Sequence, residues 1–439
     1  MNRIVVLNGS PKGKDSITYQ YVRYLQVVKP NVEVTTFHIG QTIQSLERHK
    51  EKLDEIANLI RQADLVLWLY PVYTFSVPYQ VVRWIELMNA YGHADAFSGK
   101  WMSQIATSRH FYDHTAYRYI EEIGKDWKMH SIPGHLADMQ DLLKPQGQAR
   151  FEAYLEELDW EMALEKPQED VSSLKISLIT DLREEDSELQ KMIQIFRKNT
   201  KAKIQVLNLN EISIKSGCLG CLNCTLSGEC IIKDDFQESL NIYVQNSDAI
   251  VYAGTMENHW FRSVWKKFDD RQFSNGHRMS IGGRPVGYLI AGAKENENNF
   301  LDVLKARAQV GHVYLCGIVS NQFEGDIQKK IEILTKKMEW AMVRHPERPV
   351  NFQGVGGMRV FRDLIYESRG FMKEDHKFYR ENDLYDFPHK KKSTIFQGYI
   401  IGWMMKIPAI RRKVLPSLKQ TMIKPYDKIF EERRVKNEK

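Results

Sequence analysis

The chain has 439 residues, 43% of them apolar and 27% charged, with a formal net charge of +6 at pH 7 and five cysteines. That length asks for two domains or more and the apolar content fills ordinary cores, which excludes a disordered chain and a small disulfide-stapled one. The charge excess is local, because residues 1–340 carry 40 Lys and Arg against 44 Asp and Glu while residues 341–439 carry 22 against 12.

The main body has no basic stripe with interleaved aromatics, so no nucleic-acid partner is expected. Met1-Asn-Arg-Ile-Val-Val-Leu7 runs straight into a strand pattern with no secretory signal. A cytoplasmic protein is expected.

In chain order, apolar runs alternate with amphipathic stretches, the pattern of βα units feeding a parallel sheet. Arg3–Leu7, Val32–Phe37, Leu65–Leu69 and Met102–Ala106 are expected as buried strands, with helices at Ser16–Gln26, Ile43–Gln62, Val81–Asn89 and His114–Gly124. The first strand ends in Asn8-Gly9-Ser10-Pro11-Lys12-Gly13-Lys14-Asp15-Ser16-Ile17-Thr18 and enters a helix. Glycines allow close backbone approach, Ser10, Ser16 and Thr18 carry donor hydroxyls, Lys12 and Lys14 add charge, and a helix N-terminus offers free N–H groups. Together these suit a phosphomonoester. The same string also fits a plain N-capped turn rich in Ser and Gly. It is neither a Walker loop nor a G-x-G-x-x-G fingerprint.

Phe151–Leu164, followed by Lys166-Pro167-Gln-Glu-Asp-Val171, reads as a closing helix and linker. A second series of strands follows at Leu174–Ile179, Lys203–Leu207, Ala249–Ala253, Pro285–Ile290 and Val313–Ile318. Ala63-Asp-Leu-Val-Leu-Trp-Leu-Tyr-Pro71 lies without gaps on Ser247-Asp-Ala-Ile-Val-Tyr-Ala-Gly-Thr255, which suggests a tandem duplication. The phosphate loop is not repeated: Thr180-Asp181-Leu182-Arg183-Glu184-Glu185-Asp186 places four acids where a dianion would bind, and like charges repel.

The second half carries instead Cys218-Leu-Gly-Cys221-Leu-Asn-Cys224-Thr-Leu-Ser-Gly-Glu-Cys230 and then Ile231-Ile232-Lys233-Asp234-Asp235. Thiolates this close can converge on one soft cation or cluster, whereas disulfides among them would close tiny loops for little gain. The run points to iron–sulfur or zinc chemistry in a reducing compartment, with free thiols and a redox disulfide left as alternatives. Cys316, inside an apolar run, reads as a buried structural thiol.

Beyond Pro346 short helices and turns are expected, with His376 and His389 structural or exposed. Lys390-Lys391-Lys392 and Arg411-Arg412-Lys413 flank an apolar segment interrupted by Lys406 and Pro408. It is too short for a confident membrane span. Docking on the α/β domains or an oligomer contact is the expectation, and peripheral membrane contact through residues 390–413 the alternative.

The first strand, its Gly-Ser-Pro-Lys loop and the later Pro71-Val72-Tyr73-Thr74-Phe75-Ser76 resemble the flavodoxin-like NAD(P)H-dependent FMN reductases. The cysteine run with its Ile-x-x-Asp-Asp sequel resembles the iron–sulfur flavoprotein branch of that family. The resemblance covers both α/β units and implies two tandem flavodoxin-like doubly wound parallel sheets (α/β), and with the linker and the change of character after Pro346 the expected domains are 1–166, 172–345 and a basic, mainly helical C-terminal extension over 346–439. It implies FMN held at its phosphate by Ser10, Lys12, Ser16, Ile17 and Thr18 and lined at its ring by Pro71, Val72, Tyr73 and Thr74, with Thr107 and Ser108 at the far ring edge. Tyr73 is the ring contact of choice. It also implies a [4Fe–4S] cluster on Cys218, Cys221, Cys224 and Cys230, NAD(P)H as co-substrate, and small-molecule or protein electron donors and acceptors. A homodimer is compatible with a fused pair of domains.

Overall fold

The computed structural model describes residues 2–275, 277–279 and 281–437, without the side chains of residues 415–419. The first half runs β1 (Arg3–Asn8), α1 (Ile17–Val28), β2 (Glu33–Phe37), α2 (Ile39–Arg48), α3 (Lys50–Gln62), β3 (Leu65–Pro71), α4 (Tyr79–Ala90), β4 (Trp101–Ser108), α5 (Asp113–Asp126), β5 (His130–Ser131), β6 (His135–Asp138) and α6 (Pro145–Met162). The second runs β7 (Lys175–Thr180), α7 (Ser187–Asn199), β8 (Lys203–Asn208), α8 (Cys224–Ser227), α9 (Phe236–Ser239), β9 (Ala249–Glu257), β10 (Trp260–Phe261), α10 (Ser263–Arg271), β11 (Pro285–Ala291), α11 (Asn298–Val310), β12 (Tyr314–Ser320) and α12 (Ile327–Arg344). The tail adds α13 (Phe352–Glu367), α14 (Lys373–Glu381), α15 (Lys392–Met404) and α16 (Pro408–Asn437). Two compact units result, Met1–Lys166 with Arg348–Phe352 and Phe387–Lys439, and Pro167–Glu347 with Gln353–Asp386.

In the first unit the sheet order is β2-β1-β3-β4-β5, all parallel, with β6 also on β4. Successive side chains of a strand point to opposite faces, and β1 obeys this: Val5 and Leu7 join the cluster around Trp68, Trp84, Phe97 and Trp127, while Ile4 and Val6 join that around Tyr21, Phe151 and Tyr154. A strand covered on both faces reads as a continuous apolar run, which is why β1 and β3 were legible. The edge strand was not expected. β5 and β6 pair with opposite ends of β4 and are separated by Ile132-Pro133-Gly134, where Pro133 has no N–H for the ladder. The helix expected over Ile43–Gln62 is two helices, broken at His49 by non-helical backbone (φ −130°, ψ 86°).

The second unit repeats this order as β8-β7-β9-β11-β12, again parallel, with β10 folded antiparallel onto β9. The gapless register persists beyond the strands. Asp64 accepts the Arg3 N–H at 3.0 Å, and Asp248, its match, accepts the Lys175 N–H at 2.7 Å. Each aspartate thus ties the start of the third strand to the first.

In the tail, α16 docks on the first unit through Tyr426 and Phe430, both buried in the cluster of Tyr24 and Phe151. The Tyr426 hydroxyl donates to the Met139 carbonyl at 2.9 Å, and Arg433 pairs with Glu152 at 2.7 Å. The apolar segment is not docked on the described part of the chain. α15 lies exposed, and the pair four residues apart near the end of a charged helix makes the contact.

Candidate functional site

Three loops meet at the carboxyl edge of the first unit, after the adjacent strands β1, β3 and β4. In sheets of this order that edge, where strand order reverses, is the ligand crevice. Asn8 organises the first loop: its amide accepts the Ser10 N–H at 3.0 Å and donates to the Gly13 carbonyl at 3.2 Å. Ser16 caps α1, accepting the Tyr19 N–H at 3.1 Å while its hydroxyl donates to Gly13 O at 2.8 Å. Ser10 Oγ accepts the Lys12 N–H at 3.3 Å, and Thr18 shares a 2.6 Å hydroxyl hydrogen bond with Thr107.

The hydroxyls of Ser10, Ser16 and Thr18 are therefore bonded within the protein and shape the loop. What stays open is backbone: the Ile17 and Thr18 N–H groups begin α1 and have no acceptor among the described residues. α2 packs hard under the loop, since a Cβ on Gly40 would stand 2.5 Å from the carbonyl oxygens of Gly9 and Ser10. Burial, and then Lys14, lowers the His38 pKa, which keeps that ring neutral beside Asn8 at neutral pH.

The second loop is a two-residue hairpin. Tyr73 and Ser76 exchange backbone hydrogen bonds of 2.8 and 3.1 Å across Thr74 (φ 44°) and Phe75 (φ 70°). Two positive φ values in succession belong to turns that favour glycine or asparagine, and a β-branched threonine there is strained. In the third loop His110 (φ 59°) and Tyr112 (φ 53°) are left-handed too. Four of the eleven non-glycine residues with positive φ among the described residues thus lie in two loops of one edge. Strain of this kind gathers at ligand sites. Val72 N–H reaches the Thr107 carbonyl at 3.3 Å, so the expected residues of all three loops come together.

An aromatic wall stands beside them, of which only Phe75 was expected from the sequence. Phe75 lies 4.7 Å from Tyr112 and 5.3 Å from Phe111, and Phe352 stacks on Tyr112 at 4.6 Å between ring centroids. Buried Asp113 fixes it, accepting the Phe352 N–H at 2.8 Å and pairing with His110 Nδ1 at 2.9 Å. The aromatics Phe111 and Tyr112 after the fourth strand were a usable signal. Phe352 was not, because only the folded chain returns it there.

In the second unit the corresponding edge is filled by ions. Arg262 pairs with Asp186 at 2.5 Å and Glu257 at 2.7 Å, and lies 3.7 Å from the fully buried Asp181. Arg262 holds the Asp186 carboxyl below its usual range, while burial raises that of Asp181.

The cysteine loop of this unit is stapled at its base. Arg271 and Asp234, both fully buried, form a two-pronged pair of 2.9 and 3.0 Å, and Arg271 also donates to the carbonyls of Ser216 and Ile232, before and after the cysteines. Asp235 accepts the Ser213 N–H at 2.8 Å. The Asp-Asp sequel to the cysteine run thus closes the loop. Cys218 and Cys221 are exposed and Cys224 and Cys230 half-buried, while Cys316 is buried. Burial raises the Cys224 pKa, and the other three thiols add to the rise. A hydrogen bond from Asn223 lowers that of Cys221. Among the described residues no three His, Cys, Asp or Glu side chains stand in a metal-holding group. The donor set suits a soft metal, but its geometry is not preformed.

Residues 2–159 match the family described as having a flavodoxin-like fold, and the first unit is such a domain. The chain is 28% identical over 171 residues to an iron-sulfur flavoprotein of Archaeoglobus fulgidus, covering 37% of this chain and 77% of that one. It is 23% identical over 155 residues to an iron-sulfur flavoprotein of Clostridioides difficile, covering 34% and 68%. Among solved structures, an FMN-dependent NADH-azoreductase from Bacillus anthracis in complex with FMN aligns at 14% identity with a TM-score of 0.29, over 36% of this chain and 99% of that one.

Proposed function

We propose that the chain is a flavin-dependent oxidoreductase that passes electrons from NAD(P)H or a small redox protein to an acceptor such as a quinone, a nitro compound or another carrier. FMN belongs to the first unit and a [4Fe–4S] cluster to the cysteine loop of the second. The observation that carries this reading is the meeting of three loops at the β1, β3 and β4 edge, with open helix-end amides in one and strained non-glycine residues in the other two. The similarity to two iron-sulfur flavoproteins supports it.

In this reading the Ile17 and Thr18 amides and the Lys12 ammonium hold the phosphate, and Ser10 and Ser16 fix the shape of the loop. Pro71, Val72, Tyr73 and Thr74 line the ring, with Thr107 and Ser108 at its far edge. A bound flavin supplies the redox chemistry, and the protein's part is to orient it and exclude water. Cys218, Cys221, Cys224 and Cys230 would hold the cluster, which would supply one-electron transfer, on a loop whose base is held by Arg271. Zinc on the same thiols is the alternative that an iron and sulfide assay separates.

The test of function is steady-state NAD(P)H oxidation by the FMN-loaded protein with a quinone or nitro acceptor. Turnover supports the enzyme. Reduction only by a protein donor supports an electron relay instead.

A further inference from the structure

We infer that α15 and its basic flanks form a docking segment for an anionic lipid bilayer, in which the helix lies within the interface without spanning it. Ile395, Phe396, Tyr399, Ile400, Ile401 and Trp403 are 44–76% exposed. At about 100° per residue five of them share one face about 140° wide, with Ile401 outside it, and an apolar face of that width belongs against a core or a lipid interface. No other part of the described chain buries it.

The charge around it selects the solvent. From Phe387 to Tyr426 there are nine Lys and Arg residues and no Asp or Glu. Lys390 to Lys392, Lys406 and Arg411 to Lys413 are exposed at both ends of the apolar helix. Cations beside an apolar segment match an anionic headgroup layer over acyl chains, with Tyr399 and Trp403 suited to the boundary between them. A soluble polyanion would satisfy the cations and leave the apolar face in water. A second copy would bring the same cations against each other.

Length decides between spanning and lying flat. Thirteen residues rise about 20 Å, against a hydrocarbon core of about 30 Å. No helix among the described residues is long and apolar enough to cross a membrane. The segment is also anchored, since α16 ties it to the first unit through Tyr426 and Phe430. Those contacts lie away from α15, so its exposed residues can be changed without disturbing the fold.

The experiment is co-sedimentation of the full chain with phosphatidylcholine vesicles, with and without about 30% phosphatidylglycerol, at low salt and at about 0.5 M salt. Binding is expected only to the anionic vesicles, weakened by salt. It should fall about tenfold or more in Ile400→Glu/Trp403→Glu and separately in Lys390→Glu/Arg411→Glu, with circular dichroism unchanged. Absence of binding, equal binding to neutral vesicles, or binding that survives either double variant would overturn the inference. So would a concentration-dependent dimer abolished by Trp403→Glu in a chain that ignores vesicles, which would assign the face to a second copy across the shallow trough at Gly398 and Gly402.

Discussion

After the third strand both units make the same two-residue turn, through Thr74 and Phe75 in the first and Asn258 and His259 in the second, all with positive φ. The next helix is then opened by Pro78 in one and by Arg262 in the other. That one position accompanies the divergence. Arg262 brings a buried cation to the sheet edge, where Asp181, Asp186 and Glu257 answer it, while the first unit leaves helix-end amides open beside Lys12. The same strand order and turn can therefore accompany charges satisfied internally or groups left open for a ligand. The unit that satisfied them holds its chemistry elsewhere, in a cysteine loop clamped by another buried arginine.

The comparison breaks most severely at that clamp. Arg271→Ala strands the fully buried Asp234, and losing one partner of a buried pair costs about 3–5 kcal/mol. The second unit should unfold earlier in denaturant and residues 213–235 should lose amide protection, while exchange in the first unit stays unchanged. A loss below about 1 kcal/mol, the size of an exposed pair, would contradict the clamp.

In the first unit the equivalent attack is Gly40→Ala, which drives a methyl into the Gly9 and Ser10 carbonyls. Overpacking of this kind costs about 1–3 kcal/mol, and FMN affinity in titrations of the flavin-free protein should fall about tenfold or more. Unchanged affinity would remove this loop from the flavin site.

Acid should separate the units as well. Burial holds the His135 pKa down to about 3, with Arg150 and His110 adding to the effect. Below about pH 6.5 the unfolded chain binds a proton that the folded one refuses, so the first unit should lose about 2 kcal/mol by pH 5. Burial would raise the Asp234 pKa, but Arg271 together with the Lys215 and Phe236 N–H groups lowers that carboxyl, and Arg262 lowers that of Asp186. Their contribution to the second unit is fully present above about pH 4 and fades only below it. Asp181, raised by burial, works in the opposite sense. Hydrogen exchange at pH 7 and pH 5 should show the first unit loosening, and His135→Asn should flatten that slope. The smallest effect expected is at the shared turn: Thr74→Gly relieves a left-handed threonine and should stabilise the first unit by up to about 1 kcal/mol. Turnover should fall as the loop loses its fixed shape.

Much of this architecture was legible because parallel strands buried on both faces leave unbroken apolar runs, and because Asn8 to Thr18 and Cys218 to Cys230 are local motifs. What was missed is non-local or polar. The edge strand is split by Pro133, and the break at His49 leaves no apolar mark. Phe352 returns to the Tyr112 wall across more than half of the chain, and the docking of α16 rests on Tyr426 and Phe430 amid charged neighbours. The most apolar tail segment was expected to dock on the α/β domains or at an oligomer contact because apolarity usually means burial, and nothing in the described chain covers α15.

The division of labour between the units is tested most directly by the visible spectrum of protein purified without oxygen, with flavin, iron and acid-labile sulfide assayed on the wild type and on Cys221→Ser. The account predicts one FMN with about four iron and four sulfide per wild-type chain, and a variant that loses iron, sulfide and the brown absorbance while keeping its FMN. A wild type without iron, or a variant that sheds FMN together with iron, would contradict it.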